Sequence, residues 1–248
     1  MWEPPEAGES YAIGVDPAEG VGRDRSVTQV IKIGTVSHPD IQVAEFACDF
    51  LDPVDYAACV NAIGQLYKDS EGNEAFCTVE VNAPCGDSMV NNLRSRLGYN
   101  NLYIWKAYDR ITNMYTNKFG WWTNRTTRPK IIAAGLHAFM YNDLIINSAF
   151  TLDEMEDFER DHTVATGKAR VGTHDDRIMA LLICYWGAHD DEWISGEDVA
   201  EARRRRERGE DVRTEVAVKT GKPKMDWWSL PVSADQMWTD AEDKWLND

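Results

Sequence analysis

Tyr11-Ala-Ile-Gly-Val-Asp16-Pro-Ala-Glu-Gly20-Val-Gly-Arg-Asp24-Arg-Ser26 is the stretch on which the reading of this chain turns. Residues 11–15 are a short apolar run of the kind expected of a strand covered on both faces, and the run ends in an acid. Pro17 to Gly22 supply turn chemistry. Ser26 to Ile33, rich in β-branched residues, reads as a second strand, and Ile41 to Phe50 alternates well enough for a third. Short turns between three consecutive strands predict an antiparallel meander.

Working outward, Asp52-Pro53 followed by Asp55 combines an N-cap, a proline at the first helical position and an acid in the first turn, so a helix is expected from there to about Lys68. Ser70 to Asn73 form its exit. Ala75 to Val81 reads as a fourth strand, Asp87 to Leu97 as a second helix stopped by Gly98, and Leu102 to Ala107 as a fifth strand. Asp109 to Thr126 shows no clear period and reads as a long loop, which in a compact domain usually carries function. Helices are expected at Arg128–Tyr141 and Thr151–Arg160, and a β-hairpin at Thr163–Val171 around Thr166-Gly167-Lys168. Asp175 to Tyr185 is so apolar that it should be buried on most of its circumference. The order βββαβαβ and then helices is what an α/β domain of the RNase H-like type gives: a mixed five-stranded sheet flanked by helices, with a hairpin before the last core helix.

Residues 1–190 are read as that domain. Residues 191–248 carry 15 acids and 10 bases, the run Arg203 to Arg206 and several tryptophans. They are expected to form a charged C-terminal tail, helical near Val199–Arg208 and otherwise irregular. No internal repeat is present.

The chain has 248 residues, with 43% hydrophobic and 27% charged, so a sizeable core needs no disulfide or structural metal to hold it. Its five cysteines form no CxxC pair, which removes zinc-ribbon and disulfide-framework readings. Apolar runs are too short to span a bilayer, and the first residues lack the pattern of a signal peptide. The formal net charge of −16 sits awkwardly with binding of a polyanion. Its distribution matters more. Between Tyr103 and Lys130 the only acid is Asp109, while Lys106, Arg110, Lys118, Arg125, Arg128 and Lys130 alternate with aromatic residues, a composition suited to a nucleic-acid surface.

The chemistry is carried by carboxylates. Asp16 ends the first strand, Glu80 lies near the end of the fourth, and Asp175 and Asp176 open the last buried helix. If the first and fourth strands are neighbours and the helix start packs across them, the acids converge. Such a cluster suits two hard cations, Mg2+ or Mn2+, arranged for phosphodiester hydrolysis. Each acid also has a plainer role open to it. Asp16 can form a turn, Asp175 can cap the helix, and Asp176 can complement its dipole. Glu80 is hardest to explain that way, because a lone Glu in an apolar strand costs several kcal/mol unless paired or metal-bound.

Three strings resemble the nuclease domain of phage terminase large subunits: the opening stretch from Tyr11 to Ser26, Val79-Glu80-Val-Asn82-Ala-Pro84, and Gly172-Thr-His174-Asp175-Asp176-Arg-Ile-Met-Ala180. Cys85 intervenes before Gly86 where the family often has a glycine directly after the proline. Gly120-Trp121-Trp122-Thr123 with Thr127-Arg128-Pro129 matches the segment between the last two motifs. The resemblance implies a metal-dependent DNA endonuclease of low sequence specificity that cuts concatemeric viral DNA during packaging. Asp16, Glu80 and Asp176 would be catalytic and metal-binding, with Asp175 an additional metal ligand and two Mg2+ or Mn2+ ions as cofactors. Asp24 and His174 would be auxiliary, and Lys118, Arg125, Arg128, Lys130, Lys168 and Arg170 candidates for DNA contact. Implied partners are double-stranded DNA, a terminase ATPase domain, the portal protein and the small terminase subunit, in the host-cell cytoplasm. No GxxxxGK[ST] loop occurs, so ATP hydrolysis is not expected of this chain. Three other readings share some of these features: a Holliday-junction resolvase or transposase-like nuclease, an actin-like or sugar-kinase-like ATP-binding protein, and a catalytically inactive DNA- or portal-binding module.

Overall fold

The computed structural model describes residues 1–190 apart from 21, 23, 36–37, 110–113, 162–165 and 171. The expected C-terminal tail, with its helix near Val199–Arg208, lies outside the described residues.

Strands β1 (Tyr11–Asp16), β2 (Ser26–Lys32) and β3 (Asp40–Cys48) form the expected antiparallel meander. Helix α1 (Pro53–Leu66) starts as its sequence dictates. The Asp52 carboxylate accepts from the N–H groups of Val54 at 2.7 Å and Asp55 at 3.0 Å, with Pro53 following the cap. The crossover delivers β4 (Phe76–Val79) parallel to β1. Next come α2 (Pro84–Asn91), a π-helical turn at Asn92–Arg96, and a hairpin of β5 (Ile104–Asp109) with β6 (Met114–Phe119). Then follow α3 (Arg128–Met140), β7 (Leu144–Ile145), α4 (Ala149–Glu156), a second hairpin of β8 (Phe158–Asp161) with β9 (Thr166–Ala169), and α5 (Asp176–His189).

The main sheet has five strands in the order β4-β1-β2-β3-β7, mixed in direction and flanked by helices, as an RNase H-like domain requires. Its fifth strand is not the one expected. Residues 102–107 join the main sheet by backbone pairing at a parallel bridge from Leu102 to Cys77, and β5 pairs instead with β6. The fifth place goes to the two-residue β7, too short to leave a period in the sequence. The supposed loop from Asp109 to Thr126 contains β6, whose consecutive Thr116, Asn117 and Lys118 are all exposed and so show no alternation. Helix α2 starts at Pro84 rather than Asp87, and the helix expected over Thr151–Arg160 gives way to β8.

Both faces of the sheet are covered, which is why β1 reads as an unbroken apolar run. Tyr11, Ile13 and Val15 point to a core that also takes in Tyr56, Val60, Met89 and Leu93 from the α1–α2 side. Ala12 points the other way, into a core shared with Ile131, Ala134, Leu181 and Trp186 of α3 and α5. Residues 178–187 of α5 are all buried. Gly14 lies on that same face, and a Cβ there would run into the carbonyl of Ala180 and come within 2.5 Å of Cys184 Cβ. The glycine lets α5 press its backbone against the central strand.

Gly14→Ala should therefore cost roughly 1–3 kcal/mol through overpacking. Thermal melting should fall by roughly 2–4 °C for each kcal/mol. An unchanged melting temperature would show that α5 does not bear on β1 at this point.

Candidate active site

The parity of β1 decides where its acid points. Ala12 and Gly14 face α5, and a strand alternates, so Asp16 emerges on the α5 side of the sheet. Strand β4 runs parallel with Val15 opposite Val79, and the N–H of the next residue, Glu80, donates to the Val15 carbonyl at 2.8 Å. Asp16 and Glu80 thus stand side by side at the C-terminal ends of adjacent parallel strands, where α/β sheets characteristically bind ligands. Their carboxyl groups come within hydrogen-bonding reach of each other. Burial first, then the charge of Glu80 and this contact, and then the charges of Asp176 and Asp175, hold the Asp16 carboxyl well above the usual carboxylate range.

The third and fourth acids arrive on α5. Asp175 occupies the N-cap position, yet its side chain makes no capping hydrogen bond. Its Oδ2 instead receives Arg128 Nη2 at 2.6 Å, from the first residue of α3. Asp176 begins the helix and accepts from the backbone N–H of Arg25 at 3.3 Å, with His174 Nδ1 at 3.8 Å from the same oxygen. Burial is the largest influence on Asp176 and raises its pKa; the Arg25 N–H opposes this, Glu154 and Asp175 add to it, and His174 opposes it.

A segment absent from the acidic motifs holds two of these groups. Beyond β6, Trp121 pairs with the end of β4: its N–H donates to the Val79 carbonyl at 2.7 Å, and its carbonyl accepts from Val81 at 2.8 Å. Gly120 makes this approach possible, with φ of 82° and Val79 and Val81 filling the space a Cβ would need. Two residues on, the Thr123 N–H donates to Asn82 Oδ1 at 2.7 Å, and Asn82 Nδ2 donates to Glu80 Oε1 at 2.9 Å. The Trp121–Arg128 segment therefore braces Glu80 through Asn82 and Asp175 through Arg128.

Among the described residues, no three His, Cys, Asp or Glu side chains stand close enough to hold a metal ion as they are now placed. The assembled part is the Asp16–Glu80 pair. The donors facing one another there are carboxylate oxygens, the kind hard divalent cations prefer. Carboxyl groups this close raise one another's pKa, and a bound cation would relieve that repulsion. The nearby thiol offers no competing ligand: Cys85 Sγ donates to the Pro17 carbonyl at 3.2 Å, and burial raises its pKa.

The remaining candidates are dispersed. Asp24 is exposed in the β1–β2 turn, and His174 is exposed beside Asp176. Lys118 is exposed on β6 and Arg125 on the loop before α3, whereas Lys130 is half-buried in the first turn of α3. Lys168 is exposed on β9, and Arg170 just beyond it pairs with Asp157 at 3.1 Å. Arg128 is engaged by Asp175. Sequence reasoning gave no role to Asn82, Arg25, Glu45, Glu154 or Arg177. The available signal was polar residues at strand positions that alternation sends inward, such as Gln29, Gln42 and Glu45.

A carboxyl with a raised folded-state pKa holds its proton more tightly when folded, so stability falls as pH rises from the unfolded value towards the folded one. The loss is absent below about pH 4, the ordinary Asp range, and complete above the raised pKa. Without divalent metal, Asp16→Asn should melt higher than wild type at pH 7–8, and the gap should close as the pH is lowered to about 4. A variant that melts lower than wild type at neutral pH would mean that Asp16 is not under electrostatic strain.

No family model and no curated protein matches the chain. Solved structures do. The large terminase nuclease of thermophilic phage G20c, solved with bound magnesium, aligns over 74% of this chain and 84% of its own, with a TM-score of 0.53 at 18% identity. The large terminase of thermophilic bacteriophage D6E aligns with a TM-score of 0.52 at 12% identity over 75% of this chain, which spans only 41% of that longer protein. The human cytomegalovirus terminase nuclease domain, manganese-soaked and inhibitor-bound, aligns over 74% of this chain and 84% of its own, with a TM-score of 0.50 at 12% identity. This chain has the fold of the terminase nuclease domains.

Proposed function

We propose that the chain is a divalent-metal-dependent endodeoxyribonuclease, the nuclease domain of a terminase large subunit, which cuts concatemeric double-stranded viral DNA during genome packaging. The observation that carries the reading is the pairing of Asp16 with Glu80 at the ends of adjacent parallel strands, beneath the helix that begins with Asp176. The fold shared with the G20c and cytomegalovirus nucleases, and the magnesium and manganese named for those two proteins, support it.

Asp16, Glu80 and Asp176 would hold the ions, in the proposed two-ion arrangement. Bound there, divalent cations would activate the attacking water and stabilise the leaving 3′-oxygen. The protein's own part is orientation. Asn82 fixes one oxygen of Glu80, and the N–H of Arg25 holds Asp176 towards the strand ends. Arg128 neutralises Asp175, which lowers the repulsion at the helix start. Asp175 would serve as an additional ligand only on leaving that ion pair. His174 and Asp24 are assigned supporting places at the rim. Exposed Lys118, Arg125, Lys168 and Arg170, with Lys130, would meet the DNA backbone, giving affinity without base reading. Arg128 contributes to DNA binding only indirectly in this arrangement. Among the described residues no helix is long and apolar enough to cross a membrane. The ATPase domain, portal and small subunit are proposed partners on the same reading, as is action in the host-cell cytoplasm.

Plasmid nicking in Mn2+ tests this. Asp16→Asn, Glu80→Gln and Asp176→Asn should each lower the rate by on the order of 10³-fold, about 4 kcal/mol of barrier, while keeping the fold by circular dichroism. Wild-type cutting by the Asp16 or Glu80 variant would remove the paired carboxylates from the mechanism and the reading with them.

A further inference from the structure

Asp176 depends on a helix end that something must aim, and the residue after it is clamped from several sides. Arg177 Nε donates to Glu45 Oε1 of β3 at 2.9 Å, and Arg177 Nη1 donates to Glu154 Oε1 of α4 at 2.8 Å. Its backbone N–H donates to the other oxygen of Glu154 at 2.8 Å, and its carbonyl accepts from Gln29 Nε2 of β2 at 3.3 Å. All three charged side chains are nearly buried, at 11% exposure for Arg177, 9% for Glu45 and 11% for Glu154.

The network is satisfied beyond the ion pairs. Glu45 Oε2 accepts from Gln29 at 3.0 Å and Thr151 at 2.8 Å, and Gln29 in turn accepts from Gln42 at 2.7 Å. Burial pushes the Glu45 carboxyl up, but hydrogen bonds from Thr151, Gln29 and Arg177 outweigh it and hold the group ionised. Glu154 also does the work that Asp175 leaves undone: it caps α5 from a neighbouring helix, satisfying an N–H of the first turn. Three elements, β2, β3 and α4, thus fix both the depth and the rotation of the turn that carries Asp176. A buried ionic network of this kind is a poor source of net stability compared with apolar packing, so its value lies in specifying one geometry.

We propose that Arg177, held by Glu45 and Glu154, is a positioning residue that aims Asp176 at Asp16 and Glu80. This rests on the nuclease reading above. The test is Mn2+ titration calorimetry on the 248-residue chain, with plasmid nicking and thermal melting alongside. The proteins are wild type, Asp176→Asn, Arg177→Lys, Glu154→Ala and the neutral Glu45→Gln/Arg177→Met/Glu154→Gln triple variant. Lysine keeps the charge but loses the fork that reaches two acids. The triple variant removes all three charges of this network together, so none is left buried without its partner. Arg177→Lys, Glu154→Ala and the triple variant should each bind Mn2+ about 10–100-fold more weakly than wild type, with kcat lowered and KM for plasmid unchanged.

Mn2+ affinity within about threefold of wild type in any of those variants that folds would overturn the positioning role, provided wild type binds and Asp176→Asn does not. Failure of all three to fold would overturn it too, by making the network a requirement of the core. Absence of Mn2+ binding by wild type would instead bring down the nuclease reading, and this proposal with it.

Discussion

Carboxylates brought together at the end of a parallel strand pair repel one another, and the architecture around them is organised by that repulsion. Asp16 and Glu80 are forced side by side by the register of β1 and β4. Asp176 and Asp175 are delivered to the same end of the sheet by a helix that Gly14 allows against β1. At an effective dielectric near 20, two unit charges at 4 Å interact by about 4 kcal/mol, a large fraction of the stability of a domain. An unpaired cluster would be eliminated unless compensated.

Each acid is compensated differently. For Asp16, burial and then the charge of Glu80 raise the carboxyl well above the usual carboxylate range. Asp176 borrows the N–H of Arg25, and Asp175 takes the guanidinium of Arg128. Two of the partners, Asn82 on Glu80 and Arg128 on Asp175, are tied to one segment running from Trp121 to Arg128. Positive charge from Arg128 therefore falls on Asp175, the peripheral acid.

Much of this was legible from the chain alone, and the exceptions have physical causes. Tyr11 to Asp16 announced a buried strand with an acid at its end because burial on both faces leaves an uninterrupted apolar run. Residues 178–187 announced the core helix for the same reason. Asp16, Glu80, Asp175 and Asp176 stood out as candidates because they interrupt or open apolar runs, and the structure puts Asp16 beside Glu80 with Asp175 and Asp176 at the start of α5. What escaped was β6, exposed at Thr116 to Lys118 in a hairpin outside the sheet, and β7, which at two residues is too short to show a period. Also missed were partners fixed only by tertiary contact. Arg128 carries no sequence mark that it would meet Asp175, and nothing in Glu154 indicates that it caps α5 in place of Asp175.

The proposed reading requires a divalent ion held by Asp16 and Glu80, with Asp176 completing the site. Anomalous diffraction from a crystal soaked in Mn2+ tests it directly. The account predicts manganese peaks beside Asp16 and Glu80, with Asp176 turned from the Arg25 N–H to the ion. A soaked crystal with no peak there, and with Asp16 still hydrogen-bonded to Glu80, would contradict it.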